Sequence, residues 1–368
     1  MTQHGAFERY DTHIRSRIGQ HQRFWRGSGP SLLFVPVESR DLYDLDDYER
    51  RFAHPRLMYE AERARAGLIR DWPTDGIPTV RPNLGTIFIP SCMGQPYQVG
   101  PNAMPWPGQT LSREELRARH GCTAFTAELM EPALEFYRHA ARDGRVYPYH
   151  PDTQGVFDVA HLVYGDEIFL DLATEDERKW ITDLMDMTLE WFVSLTRAVK
   201  AATNEPDGQM VHGHGTAQGL YFPTAGTRIS EDTATLLSPV MIEERILPFM
   251  ERSAQAFGGA FVHYCGRHDA LFSILCEAPW CRAIDLGNPE SYDTGELLRR
   301  CAVTETVLYS RLPAEAEEAP LDYVRRIGRL VAESGARVVL RATVVPQSRL
   351  QAQEMTGLFH ELTERHDG

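Results

Sequence analysis

The sequence predicts an α/β protein built as a single closed (β/α)8 barrel with an N-terminal helical extension. Three observations carry this. About eight short strand-like segments alternate with helix-like ones, the pattern of a parallel sheet. No Pro- or Ser-rich linker divides the 368 residues, so an extension over 1–30 is followed by one barrel domain over 31–368. Finally, no G-x-G-x-x-G stands between a strand and a helix and no P-loop is present, which leaves open nucleotide-binding sheets without support.

The elements follow in order. SLLFVPV (31–37) is an apolar run between Gly-Ser-Gly-Pro and charged residues, and a long helix over roughly 44–71 ends at the Trp-Pro of DWP. Pro, Asn and Gly break IPTVRPNLGTIFIP (77–90) into short extended pieces. The Gly- and Pro-rich stretch 91–110 has no helical period and reads as a functional loop or lid. Ser112 with Glu115, and Thr174 with Glu177, have the capping-box spacing that opens helices to about 143 and about 202. Strand candidates follow in 210–223, 227–239, GGAFVHYCG, CRAIDLG (281–287), TETVLYSRL (304–312) and RVVLRATVVP (337–346). Ser238-Pro239 fits the N-cap and first position of the helix after the second of these.

Composition narrows the function. A net charge of −14 with acids and bases mixed along helices offers no clustered basic surface, so no nucleic-acid partner is expected. No apolar run reaches the roughly 18–20 residues that cross a bilayer, and the polar start MTQHGAFERYDTH lacks a signal-peptide core. The expected location is cytoplasmic, with no membrane partner and a small-molecule substrate. The six cysteines show no paired framework and are expected as free thiols. Cys276, Cys281 and Cys301 read as buried packing, and Cys92 lies in the long loop.

In a barrel the reactive side chains stand at the C-terminal ends of strands. His263 and Cys265, in FVHYCG, are two apart on an extended segment and project to one side. An imidazole beside a thiolate suits Zn²⁺. His212 and His214 repeat the spacing and either line the pocket or form a surface turn. Glu231 and Asp232 follow a strand and serve as general acid or base, or as charges at a helix start. Arg81 and Asn83 either contact an anionic substrate or are solvated.

GGAFVHYCG resembles the Gly-Gly…His-x-Cys-Gly strand of the uroporphyrinogen decarboxylase superfamily, which includes corrinoid-linked zinc methyltransferases. QGVFDVAHLVYGDEIFLDLATEDE (154–177), ISEDTATLLSPVMIEERILPF (229–249) and CRAIDLGNPE are similar to further family segments. The resemblance covers roughly 145–350 well and the first third loosely, and it implies a (β/α)8 barrel. The two-arginine motif of the porphyrin enzymes is missing from SLLFVPVESRD, where Arg40 is a stray candidate. The methyltransferases bind Zn²⁺ through His-x-Cys and a later cysteine near the last strand; His263 and Cys265 match the first two, but RVVLRATVVP (337–346) holds no cysteine and none follows it. A more distant relative, cobalamin-independent methionine synthase, adds a Glu from the next strand, where Asp285 stands here and Glu290 is a substitute. The resemblance therefore implies zinc on His263, Cys265 and Asp285. It also implies methyl transfer to a small thiol or similar acceptor, from a corrinoid on a separate partner protein or from another methyl donor. The alternatives are a decarboxylase or lyase acting on a carboxylate, and a barrel that binds a ligand without turnover.

Overall fold

The computed structural model describes residues 7–36, 46–121 and 129–364. Its first helix, Thr12–Arg26, starts at Asp11, whose carboxylate accepts the Ile14 N–H at 3.1 Å. It stops at Gly27, whose left-handed backbone ends the hydrogen-bond ladder. The helix buries Ile14, Ile18, His21 and Phe24. His21 Nε2 donates to the Asp75 carbonyl at 2.7 Å and Nδ1 accepts the Tyr221 N–H at 3.1 Å. Burial pushes this imidazole down to a pKa of about 4, so it is a neutral clamp between distant segments.

Among the described residues twelve strands follow: β1 Leu32–Phe34, β2 Ile77–Val80, β3 Tyr97–Gly100, β4 Ala103–Pro107, β5 Tyr147–Pro148 and β6 Met210–His212, then β7 Gln218–Phe222, β8 Thr227–Ser230, β9 Ala260–Tyr264, β10 Cys281–Leu286, β11 Val307–Ser310 and β12 Val338–Leu340. Six form an all-parallel sheet in the order β1-β12-β11-β10-β9-β8. A second sheet has the order β5-β2-β7-β6, with β2 parallel to β5 and antiparallel to β7. At one seam between the sheets Asp75 N–H donates to the Phe34 carbonyl at 3.0 Å, and Phe34 N–H to Asp75 Oδ2 at 2.7 Å. At the other, Gly155 N–H donates to the Ser230 carbonyl at 2.6 Å. The fold is thus α/β with a parallel sheet, as the alternation predicts. The described residues do not form one continuous eight-stranded ladder.

The parallel sheet is apolar on both faces, as its uninterrupted apolar strands require. Val262, Tyr264, Ile284, Leu308 and Leu340 point outward into the large cluster shared with the helices. Leu33, Val35, Phe261, Ala283, Val307, Tyr309 and Val339 point inward. Met210, Leu220 and Phe222 of the β6–β7 hairpin fill that inner face. The hairpin's other side, Val211 and Tyr221, packs on Ile14, Ile18, Ile77 and Tyr147. No described helix is long and apolar enough to cross a membrane.

Several local expectations change. The stretch 91–110 contains an antiparallel hairpin, β3 with β4, instead of an irregular lid. The helix expected over 44–71 is broken at His54, because Pro55 cannot continue the Tyr48–Ala53 ladder and instead starts Pro55–Arg70. Ser112 and Glu115 do form a capping box. Thr174 does not cap: its hydroxyl bonds back to the Leu170 carbonyl at 2.8 Å, and the long helix begins at Arg178. Ser238 caps as expected, accepting Met241 N–H. Arg40 and Cys122 lie outside the described residues.

Candidate metal centre

The register of the parallel sheet brings one polar layer together. His263 is the cross-strand partner of Ser230 on β8 and of Asp285 on β10, and Asp285 is partnered by Tyr309 on β11. Neighbouring strands lie about 4.8 Å apart, so inward side chains of one layer touch. His263 Nδ1 is 2.8 Å from Asp285 Oδ2. Its other nitrogen, Nε2, is 3.5 Å from Cys265 Sγ and 3.7 Å from Asp232 Oδ1. Asp232 Oδ1 also accepts the Cys265 N–H at 2.6 Å, which ties the two ligand candidates to each other. Gly266, at φ 89°, turns the chain after Cys265. Gly287 leaves room for the thiol, since a Cβ there would stand 2.6 Å from Sγ.

Two groups of donors have metal-like proximity: Asp232, His263 and Cys265, and His214, His263 and Asp285. Their spacings differ in a telling way. Tetrahedral Zn²⁺ with bonds of about 2.0–2.3 Å separates N from S by about 3.5 Å and N from O by about 3.4 Å. The first group matches these edges. In the second, Asp285 Oδ2 is 2.8 Å from both His263 Nδ1 and His214 Nδ1, which is hydrogen-bond distance. Asp285 therefore stands behind His263, on the face away from Cys265.

The electrostatics agree with that order. Burial disfavours a charged His263, but Asp285 outweighs it and holds the imidazole up at about 9. Burial likewise opposes ionisation of Asp285, and His214 and His263 overcome it, leaving the carboxyl well below the usual range. Burial drives His214 the other way, down to about 3. His214 has a left-handed backbone, φ 43°, costly for a residue with a Cβ. That turn aims its ring at His263, with centroids 4.4 Å apart.

The remaining sequence candidates fall elsewhere. Glu231 faces the start of the helix Val156–Tyr164 and accepts the N–H groups of Phe157 and Asp158 at 3.2 and 3.0 Å. Asp158 returns the contact, accepting from Asp232 and Thr233 N–H at 2.9 and 2.8 Å. Burial first, then Asp158, raises Glu231 well above the ordinary carboxyl range. His212 is buried against Phe261 and Tyr149 and is no surface turn. Arg81 is also buried, 3.7 Å from Asp152. Asn83 is buried, with its carbonyl bonded to Tyr48 and its N–H on Met58 Sδ at 3.1 Å. Glu290 accepts from Asn288 at 2.8 Å, outside the cluster.

Sequence reading missed Arg228, Tyr309, Arg341 and Asp152. All four gather at the inner face: Arg228 is 2.8 Å from Asp152, and the Arg341 guanidinium lies 5.5 Å from the centre of the Tyr309 ring. Burial opposes the charge on Asp152, and Arg81 and Arg228 outweigh it, holding the carboxyl well below its usual range. The available signal was period-two counting: Arg228 and Ser230, or Val339 and Arg341, alternate inward as His263 and Cys265 do.

No protein-family model matches the chain, and no curated protein matches its sequence. Among solved structures, the chain is similar to a methyltransferase from Methanosarcina mazei, with a TM-score of 0.59 at 13% sequence identity. The match covers 94% of this chain and 98% of that one, so the two share a fold over nearly their whole lengths.

Proposed function

We propose that the chain is a zinc-dependent methyltransferase of the uroporphyrinogen decarboxylase superfamily. In this reading the six strands of the parallel sheet, together with β2 and β5, make up one eight-stranded barrel wall. The observation that carries it is the spacing of His263 Nε2, Cys265 Sγ and Asp232 Oδ1, which matches the edges of a tetrahedral zinc site. Their room for a thiol and the fold shared with a methyltransferase support it further. His263, Cys265 and Asp232 would hold the metal and leave a fourth position for substrate. Asp285, the third ligand by sequence reasoning, instead accepts the Nδ1 proton of His263 and so fixes which nitrogen faces Cys265.

A bound Zn²⁺ would supply the Lewis acidity that makes a substrate thiol nucleophilic at neutral pH. The chain's own part is positional. His214 and Asp285 fix the imidazole, Gly287 keeps space beside Cys265, and the β6–β7 hairpin excludes water from the inner face. The substrate sulfur then forms a bond to the methyl carbon as the donor's bond to that carbon breaks, and the thiol proton leaves to solvent. The donor in this reading is a corrinoid carried by a separate protein.

Metal analysis tests the proposal. We expect about one zinc per chain, lost in His263→Ala and Cys265→Ala. A protein that is metal-free as purified and takes up no zinc on reconstitution overturns methyl transfer and favours a decarboxylase acting on a carboxylate.

A further inference from the structure

Four buried hydrogen-bond donors beside the metal ligands have no acceptor among the described residues. His212 Nδ1 accepts the His214 N–H at 3.0 Å, so the neutral ring carries its proton on Nε2, and that atom has no partner. Burial keeps the ring neutral. Arg228 Nε, Arg341 Nε and the Tyr309 hydroxyl are likewise unpartnered. His212 and Tyr309 are each 1% exposed, and Arg228 and Arg341 each 6%.

These groups surround one ring. Arg228 is the cross-strand partner of Phe261. The His212 and Tyr309 rings lie 5.7 and 4.9 Å from the Phe261 ring. The Arg341 guanidinium lies 5.5 Å from the centre of the Tyr309 ring. Arg228 lies one layer below His263, Tyr309 is level with His263 and Asp285, and Arg341, two residues beyond Val339, lies one layer above, all on the inner face.

The charge is unbalanced as well. Arg228 has Asp152 as a counter-ion. Arg341 makes no ion pair among the described residues, and its contact with the protein is a long one, Nη2 to the His214 carbonyl at 3.5 Å. An unpartnered buried donor is destabilising, and an uncompensated buried charge more so. Native proteins rarely keep such groups without a role. All four of these groups can donate, so an acceptor with negative charge would complete them. A carboxylate offers two oxygens with about four lone-pair sites.

We propose that His212, Arg228, Tyr309 and Arg341 form a subsite for a carboxylate, and that the acceptor substrate is a small thiol carboxylate whose acid end occupies it. The thiol half of this statement rests on the zinc reading above. The carboxylate half does not.

Calorimetry on zinc-loaded protein with 3-mercaptopropionate, and with uncharged 2-mercaptoethanol, tests it. Tyr309→Phe and Arg341→Met should each weaken the carboxylate by about tenfold or more, with zinc content and 2-mercaptoethanol binding unchanged. Equal affinity for the two thiols, or variants that bind 3-mercaptopropionate like the parent, overturns the subsite. Metal-free protein heated with and without propionate separates the two readings. A rise in melting temperature that Arg341→Met abolishes supports the subsite even where zinc fails to bind. Zinc uptake with no preference for the carboxylate rejects the subsite and leaves the metal centre standing.

Discussion

Two buried polar clusters lie on either side of the β6–β7 hairpin, and they are finished to different degrees. On one side, Lys200 donates to Glu205 Oε2 at 2.8 Å and to the carbonyls of Pro206 and Gln209 at 3.1 and 2.8 Å. Glu205 also accepts from Tyr147, Val211 N–H and His150, so both of its oxygens are saturated. On the other side, His212, Arg228, Tyr309 and Arg341 are as deeply buried, yet each keeps an unused donor. Burial alone therefore does not separate structural from functional polarity. Completeness of hydrogen bonding around the charged groups does: Lys200 and Glu205 are fully partnered and lock the chain, with Gln209 Nε2 the orphan beside them, whereas the unsaturated cluster is the proposed ligand site.

The sharpest way to break this comparison is Lys200→Met. It strands an ionised Glu205 in the interior and should cost about 3–5 kcal/mol in urea unfolding; a loss under about 1 kcal/mol would show that the saturated cluster is not a lock. His21, another saturated group, gives a pH test. It takes up its proton near 4 when folded and near 6.5 when unfolded. Between those values the unfolded chain binds more protons, so the contribution is intact above pH 6.5 and is lost as pH falls toward 4. The total is on the order of 3 kcal/mol, and His21→Gln should flatten the difference in stability between pH 7 and pH 4.

Smaller effects belong to the site. Asp285→Asn should lower zinc affinity about 10–100-fold by chelator competition. An unchanged affinity would remove Asp285 from its orienting role. Least of all, Arg341→Met should leave stability within about 1 kcal/mol of the parent or raise it, because it deletes a charge the apo protein never compensates. A collapse of the fold in that variant would place Arg341 with the structural cluster instead.

Much of the site could be read from the chain. His263 and Asp285 sit on consecutive strands whose apolar runs and Gly turns fix their level, Cys265 directly follows the first of these, and Asp232 follows the strand before them by two residues. What each does could not be read. Whether Asp285 stands in front of His263 or behind it depends on which ring nitrogen faces which neighbour, a matter of χ angles set by packing. Arg228, Tyr309 and Arg341 look like ordinary strand residues until the register assigns them inward. The β6–β7 hairpin was missed as an antiparallel pair because β–α alternation elsewhere favours parallel strands, and its turn, GHGTA, has Gly without a two-residue hairpin signature. The helix break at Pro55 is legible from the sequence, because a proline cannot continue the hydrogen-bond ladder before it.

The β6–β7 hairpin has one more consequence. Its tip, residues 213–217, reaches the polar layer from a segment that contributes no strand to the parallel sheet. Depth and polarity at the centre of the molecule are thereby separated from the scaffold that carries the ligands. Each residue added to or removed from an arm of the hairpin shifts that tip by about 3.3 Å, while His263, Cys265 and Asp285 keep their register. In evolution or in the laboratory, ligand choice can then drift through a short insert, as a key is recut without rebuilding the lock.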